Sequence, residues 1–513
     1  MRRMSSHKRK AQIEFGDFQT PRALAARVCK VLAGRGVNPA SIVEPTCGEG
    51  TFLIAAIEEF PEARSALGLE INPLYAARAE SALSGREGGV SVSILRGDFF
   101  TADWRLVLAP LPDPLLVIGN PPWVTNAGLG VLGSSNLPNK SNFQGHAGLA
   151  AMTGKSNFDI SEWMLIKLLD LLKGRCATLA MLCKTAVARK VLSHLWRNDV
   201  ELADSTIYEI DAAAAFDVNV HACLLVCSLG ESPRSSDCAV YAGLDSREPA
   251  ATIGFRCGRL VSDVCRFARL QHLRGKEVYR WRSGVKHDCG KVMELREEGT
   301  RYRNGLGELV DLESEYLYPL LKSSDVAAGR DAVPRRWMLV TQTRIGEDTS
   351  RIGERAPKTW SYLVSHGKHL DKRASSIYRR QPRFAVFGVG GYSFAPWKVA
   401  ISGLHKALRF APVGAHKGKP IVLDDTCYFV PCQSKAEAEF VADLLNSQPA
   451  NDFLEASIFW DAKRPITVDV LRELDLRKLA RELGCEQRLN DFASPVSAAE
   501  ERTDSQLVLF DAK

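Results

Sequence analysis

No apolar run in the 513 residues reaches the roughly 18 that a membrane-spanning helix needs. The basic start, MRRMSSHKRK, is not followed by the apolar stretch of a secretory signal. Cysteine is sparse. The thirteen present include no C-x-x-C pair, too few for a disulfide scaffold and without the usual spacing of a zinc site. With no export signal, they are expected to be reduced thiols in a cytoplasm, and no metal is expected. A phosphate loop of the form GxxxxGK[ST] is missing, and GAHKGKP (414–420) has the wrong spacing, which argues against a nucleotide triphosphatase. There is no internal repeat and no low-complexity block. Charged residues make up 25% and apolar ones 45%, which excludes wholesale disorder.

What is present is uneven. The net charge is +7, yet residues 331–420 hold 17 Lys/Arg against 5 Asp/Glu, a local balance of +12. The rest of the chain sums to −5. One segment therefore carries the basic excess, which points to a polyanionic partner.

The first 230 residues alternate short β-branched runs with helical stretches, the pattern of a parallel α/β sheet. Strands are predicted at 41–45, 66–71, 92–98, 114–120, 176–183, 203–209 and 220–229. Helices are predicted at 51–60, 73–83, 160–173 and 185–196. Residues 125–158, rich in Gly, Ser and Asn, break the rhythm and read as a long mobile loop, a feature that is usually functional. The polar stretch GESPRSSD (230–237) is the predicted boundary. A catalytic domain over 1–235, an α+β domain over 236–480 and a loosely attached tail over 481–513 are expected.

In VEPTCGEGTF (43–52), Gly48 and Gly50 fall between a strand and a helix, where backbone N–H groups can approach a ligand at the positive end of a helix dipole. A lone G-x-G is otherwise an ordinary tight turn, and this loop lacks the GxGxxG spacing of a dinucleotide site. Glu70 ends the second strand, where an acidic side chain can bind both ribose hydroxyls. Asp98 ends the third, where a carboxylate can accept from an adenine amine, with Phe99 beside the ring. Singly, each is more often a solvated loop residue. Together, at successive strand ends, they describe an adenosine pocket.

IGNPPWV (118–124) ends the fourth strand. Two prolines force an extended exit and hold carbonyls outward, or else they simply build a rigid turn around a packed tryptophan. The chemical reading concerns an amine on an aromatic base, whose lone pair is delocalised. The oxygen of Asn120 and the carbonyl of Pro121 can each accept one N–H, which favours the pyramidal, nucleophilic nitrogen and stabilises the charge developing on it. Trp123 offers a face on which the base stacks.

The order EPTCGEGTF, GLEIN, RGDFF, GNPPWV resembles the gamma-class N6-adenine DNA methyltransferases, which use S-adenosylmethionine. The resemblance covers about 18–230. It implies a Rossmann-like seven-stranded class I methyltransferase domain followed by a C-terminal α+β target-recognition domain. FQTPRALA (18–25) is similar to the family's Thr-Pro segment, so Thr20 and Pro21 are expected to help cover the methionine end. Glu44, Cys47, Gly48 and Gly50 fall on the loop around the methionine. Glu70 matches the ribose ligand with Ile71 beside it, and Asp98 matches the adenine ligand with Phe99. Asn120, Pro121, Pro122 and Trp123 match the catalytic motif. This chain has Glu44 where many relatives have Asp, and Trp123 where Tyr or Phe is common. AAFDVNVHACLL (214–225) is similar to a late segment whose aromatic, here Phe216, meets the other face of the flipped base. Such an amine is paired inside a duplex, so the base must leave the helix. The 125–158 stretch would then be a lid.

In the basic segment, cations alternate with aromatics, most densely in RRQPRFAVFGVGGYSFAPWK (379–398). Arg344, Lys372, Arg373, Arg379, Arg380, Arg383 and Lys398 are the candidate contacts to the phosphates of double-stranded DNA. A solvated basic face and a packed core are the plain alternatives for the charges and the aromatics. The function implied is modification of DNA in a restriction–modification or phage-defence system, in the cytoplasm of a bacterium or archaeon and close to its nucleoid. Any restriction endonuclease would be a separate chain. Asn-Pro-Pro-aromatic also occurs in enzymes that methylate RNA bases or release-factor glutamines, so an RNA amino-methyltransferase is the runner-up. A catalytically idle DNA-recognition subunit is a third reading, disfavoured by the intact Asn120, Trp123, Glu70 and Asp98.

Overall fold

The apolar run Leu115–Gly119 (β4) and the Ile42–Val43 centre of Ser41–Glu44 (β1) suit strands covered on both faces, and both strands are wholly buried. In the computed structural model, which describes residues 19–84, 89–124, 159–200, 202–230, 235–330 and 333–492, they lie side by side and parallel inside a ten-stranded sheet. The other strands are Ser65–Glu70 (β2), Ser91–Arg96 (β3), Ala177–Lys184 (β5), Asp204–Ile210 (β6), Ala222–Leu229 (β7), Asp237–Tyr241 (β8), Ala251–Arg256 (β9) and Arg259–Val261 (β10).

The order is β10-β9-β8-β6-β7-β5-β4-β1-β2-β3. β1 to β5 are mutually parallel, and β7 runs antiparallel to both β5 and β6. The chain steps outward from β1 through β2 to β3, then returns to the other side of β1 as β4. A crevice opens at such a reversal, outside the carboxyl ends of the strands. Gly68 inside β2 permits close packing there. A Cβ at this position would stand 2.8 Å from Cys47 Sγ and 2.9 Å from side-chain carbons of Leu53 and Ile94.

The helices read from the sequence form at Thr51–Glu59 (α2), Pro73–Leu83 (α3), Ile160–Leu171 (α5) and Thr185–Arg197 (α6). Among the described residues up to β7, three more were not predicted: Arg22–Gly34 (α1), Trp104–Leu108 (α4) and Ala212–Phe216 (α7). α1 buries Leu24, Ala25, Val28, Cys29 and Leu32, a stripe of helical period that packs on α2. At α3 the start is set by Asn72, whose side chain accepts from Leu74 N, with Pro73 in the first turn.

Two compact units divide the chain, Met1–Val264 and Cys265–Lys513. The boundary expected at 235/236 therefore falls inside the first. β8 pairs parallel with β6, and β9 and β10 continue the sheet, so 230–237 joins two strands of one sheet instead of two domains. The reason is that β6 would otherwise present an unpaired edge, which β8 covers.

The second unit is α+β, as expected. A six-stranded sheet takes in Glu294–Glu298, Leu317–Leu321 and Arg336–Leu339, and a four-stranded sheet takes in Trp397–Ser402 and Cys427–Cys432. Helices Lys435–Leu445, Gln448–Glu455, Leu476–Glu482 and Glu486–Phe492 share a core with the second sheet through Ile401, Phe440, Phe453, Leu479 and Leu489. The tail expected from 481 therefore begins later, because Leu489 is fully buried. Residues 125–158, where a long loop is expected, and the residues after 492 lie outside the described residues. Among the described residues, no helix is long and apolar enough to cross a membrane.

Candidate active site

At the end of β1 the chain turns through Pro45–Gly50. Cys47 N donates to Leu69 O at 2.9 Å and Gly50 N to Cys47 O at 2.7 Å, which closes a tight turn between β1, β2 and α2. Gly48 (φ 51°) and Gly50 (φ 82°) take the left-handed conformation that this turn requires. Glu44 is only 3% exposed and accepts from Leu53 N at 3.2 Å, in the first turn of α2. Burial pushes its carboxyl well above the usual range, and the negative charge of Glu70 adds to the shift. A cation held nearby would reverse that penalty.

Glu70 is held at both oxygens. Oε2 accepts from Gly48 N at 2.8 Å and Oε1 from Asn72 N at 2.7 Å, so the glycine turn orients the acid that ends β2. Asp98, beyond β3, accepts from Phe100 N at 2.9 Å. Behind it Phe99 is buried against Trp104 and Trp163, with ring centroids 5.0 and 6.1 Å away.

At the end of β4, Asn120 Nδ2 donates to Thr20 Oγ1 at 3.3 Å. Trp123 is 7% exposed, and its Nε1 donates to Leu182 O of β5 at 3.3 Å. Phe216, at the end of α7, meets it edge-on with centroids 5.2 Å apart and planes at 71°.

One cleft thus gathers Thr20, Glu44, Cys47, Gly48, Glu70, Ile71, Asp98, Phe99, Asn120 and Pro122. Pro21, Gly50, Pro121, Trp123 and Phe216 do not line it. The role of Gly50 is steric, since a Cβ there would sit 3.2 Å from Ala79 Cβ. Tyr75, Phe100, Ile160 and Met164 also line the cleft, and sequence reasoning missed them. Tyr75 lies in the first turn of α3, three residues after GLEIN, and that nearness was the available signal.

The basic candidates separate sharply. Arg344, Lys372, Arg379 and Arg380 are exposed and form no ion pair among the described residues. Arg383 is exposed but paired with Asp371 at 2.8 Å. Arg373 does not fit a phosphate contact: its guanidinium donates to the carbonyls of Leu370, Ala385 and Arg383 and stacks 3.7 Å over the Tyr378 ring. Lys398 is a clear correction. It is 1% exposed, donates to Ala395 O at 2.8 Å, and burial lowers its pKa to about 7. Every residue of its strand but the first is buried. Among the described residues, no group of three His, Cys, Asp or Glu could hold a metal ion.

Glu44 calls for a cation, and Glu70 and Asp98 offer acceptors to a nucleoside a short distance away. A methionine joined to adenosine answers both, and the strand order 3-2-1-4-5-7-6 with a reversed seventh strand is that of the class I methyltransferases. The protein is therefore an S-adenosylmethionine-dependent methyltransferase. Sequence relatives narrow this class. The chain is 45% identical over 478 residues to the Type II methyltransferase M.NspV of a Nostoc species, covering 92% of this chain and 98% of the relative. It thus belongs to the Type II methyltransferases, the modification enzymes of restriction–modification systems. The Type II methyltransferase M.XamI of Xanthomonas campestris pv. amaranthicola is 34% identical over 116 residues, 22% of this chain and 21% of that one. No family model matches the chain. The fold is similar to that of the Type IIL restriction-modification enzyme MmeI, solved in complex with DNA, with a TM-score of 0.57 and 13% identity over 98% of this chain and 74% of that one.

Proposed function

We propose that the methyl acceptor of this Type II modification enzyme is the exocyclic N6 amine of an adenine flipped out of duplex DNA. The observation that carries this reading is the position of Asn120-Pro121-Pro122-Trp123. Asn120 and Pro122, just beyond β4, line the same cleft as Glu70 and Asp98, so an amine held at this turn would face the cofactor site. Bound S-adenosylmethionine supplies a methyl group on a sulfonium centre. Thr20, Glu44 and the Gly48 turn would hold its methionine end, Glu70 with Ile71 the ribose, and Asp98 with Phe99 the adenine.

Asn120 and Pro121 accept the two N–H groups of the target amine. The nitrogen lone pair is thereby withdrawn from the ring and becomes available to the methyl carbon, and the two oxygens stabilise the developing positive charge. Trp123 and Phe216 flank the base. Two stacked contacts of about 3.5 Å each need ring planes about 7 Å apart, and these centroids are 5.2 Å apart and edge-on, so one ring must both turn and move away by about 2 Å as the base enters. Phe216 is the ring assigned this movement, since it is the last residue of the short α7 and is followed by Asp217 with φ 55°.

In this reading the second unit is the target-recognition domain. Arg344, Lys372, Arg379, Arg380 and Arg383 supply its phosphate contacts. The enzyme works in the cytoplasm, and cleavage belongs to a separate endonuclease. The test is mass spectrometry of nucleosides from plasmid DNA methylated by the purified enzyme. N6-methyladenine is expected, and it should vanish with Asn120→Ala while S-adenosylmethionine binding persists. N4-methylcytosine, or methylation of RNA alone, would overturn the reading.

A further inference from the structure

Lys184 stands at the end of β5, just before α6, and no sequence pattern pointed to it. Its ammonium donates to the main-chain oxygen of Trp123 at 3.0 Å and to Asp159 Oδ2 at 2.6 Å. The Asp159 side chain is 7% exposed and caps α5, where Oδ1 accepts from Ser161 N at 3.2 Å and Ser161 Oγ at 2.6 Å. Beside it, Ile160 N donates to Val124 O at 2.9 Å. The point where the chain leaves the Asn-Pro-Pro-Trp turn is thus tied to the start of α5 by one cation and one backbone hydrogen bond.

We propose that Lys184 is a positioning residue for methyl transfer. By holding the Trp123 carbonyl it fixes the peptide plane that closes the turn, and hence the direction in which Asn120 and Pro121 face the acceptor amine. This rests on the reading of Asn120–Trp123 as the catalytic motif.

The prolines fix φ at two of its four residues but leave ψ at Pro122 and the Trp123 carbonyl undetermined. Those freedoms are removed from β5, by Leu182 O on the indole and by Lys184 on the backbone. A turn misplaced by about 1 Å is enough to lower a rate roughly a hundredfold.

The plainer role for Lys184, neutralising a buried carboxylate or joining α5 to α6, does not account for the bond to Trp123. The same two helices are already bridged by Lys190 and Glu162 at 3.1 Å. Asp159 supplies the second acceptor that the ammonium meets beside the turn.

The test compares Lys184→Met, Asp159→Asn, the double variant, Lys184→Arg and Asn120→Ala in the full-length enzyme. The substrates are unmodified plasmid DNA and tritiated S-adenosylmethionine. Expected are a fall in kcat of about 10–100-fold for Lys184→Met and for the double variant, with the KM for S-adenosylmethionine unchanged. Asp159→Asn, which keeps the bond to Trp123, should stay within about threefold of the parent, and Lys184→Arg should recover part of the loss. The double variant carries no unpaired buried charge, so its folding is protected. A double variant at the parental rate would reduce Lys184 to charge balance and overturn the proposal. So would a loss confined to KM, or an Asp159→Asn enzyme as slow as Lys184→Met. If Asn120→Ala turns over normally, the motif reading itself falls and takes this one with it. An inactive Asn120→Ala beside a fully active double variant would sink the Lys184 proposal alone.

Discussion

Asn120 and Thr20 are separated by 100 positions in the chain, yet the Asn120 amide nitrogen donates to Thr20 Oγ1 at 3.3 Å. The amide is thereby oriented from its nitrogen side, and its oxygen points the opposite way. Thr20 was expected only at the methionine end of the cofactor. It lines the cleft and also steers the first residue of the proposed catalytic turn.

Thr20→Val keeps the shape and removes the acceptor. One neutral hydrogen bond contributes about 1 kcal/mol, so kcat at saturating substrates should drop about fivefold. Thr20→Ser should restore it. A valine variant with full turnover would show that Asn120 is oriented by other contacts.

Glu70→Ala removes the acceptor proposed for the ribose and the anchor of Gly48 and Asn72. Hydrogen bonds to a charged group contribute about 1.5–3 kcal/mol, so the Kd for S-adenosylmethionine by calorimetry should rise roughly 10–100-fold. Saturating cofactor should recover much of the turnover. Unchanged affinity would remove Glu70 from the cofactor site.

Reversing charge at Arg379 and Arg380 should weaken DNA binding across all sequences. It should also lower the slope of log K against log salt by about 2, roughly one for each phosphate that is no longer neutralised. Lys398→Met should leave that slope unchanged, because Lys398 is buried. Equal slopes for parent and double reversal would move the DNA face elsewhere.

Lys398 also predicts a pH dependence. Burial lowers its pKa from the ordinary 10.5 to about 7 in the folded protein. Between those values the unfolded chain binds more protons, so the contribution to stability rises with pH across that window. Below about pH 7 the folded state carries the whole cost of burying the charge. The Tm of Lys398→Met relative to the parent should therefore be highest near pH 6 and fall toward pH 10. A difference that does not vary with pH would mean that Lys398 titrates like a solvated lysine.

Much of the first unit was legible because a doubly covered parallel sheet has a plain signature. β4 is a continuous apolar run and β1 has the apolar centre Ile42–Val43, each is followed by a chemistry-bearing turn, and all seven predicted strands form near their predicted places. The short helices α4 and α7 were not legible, since five residues are too few for a period to emerge. β8 to β10 were hidden behind a polar stretch that looks the same whether it links two domains or two strands.

Sequence alone determined the order of the chemical groups and the faces to be buried, because strand periodicity and the placement of glycine and proline are local properties of the chain. It therefore located Glu44, Glu70, Asp98 and Asn120 and implied methyl transfer. Only the tertiary structure decided which cations remain at the surface, since burial depends on neighbours far along the chain: Arg379 stays in water while Lys398 is enclosed. The same holds for Thr20 on Asn120 and Lys184 on Trp123. These interactions join distant segments through side-chain atoms whose meeting no spacing encodes.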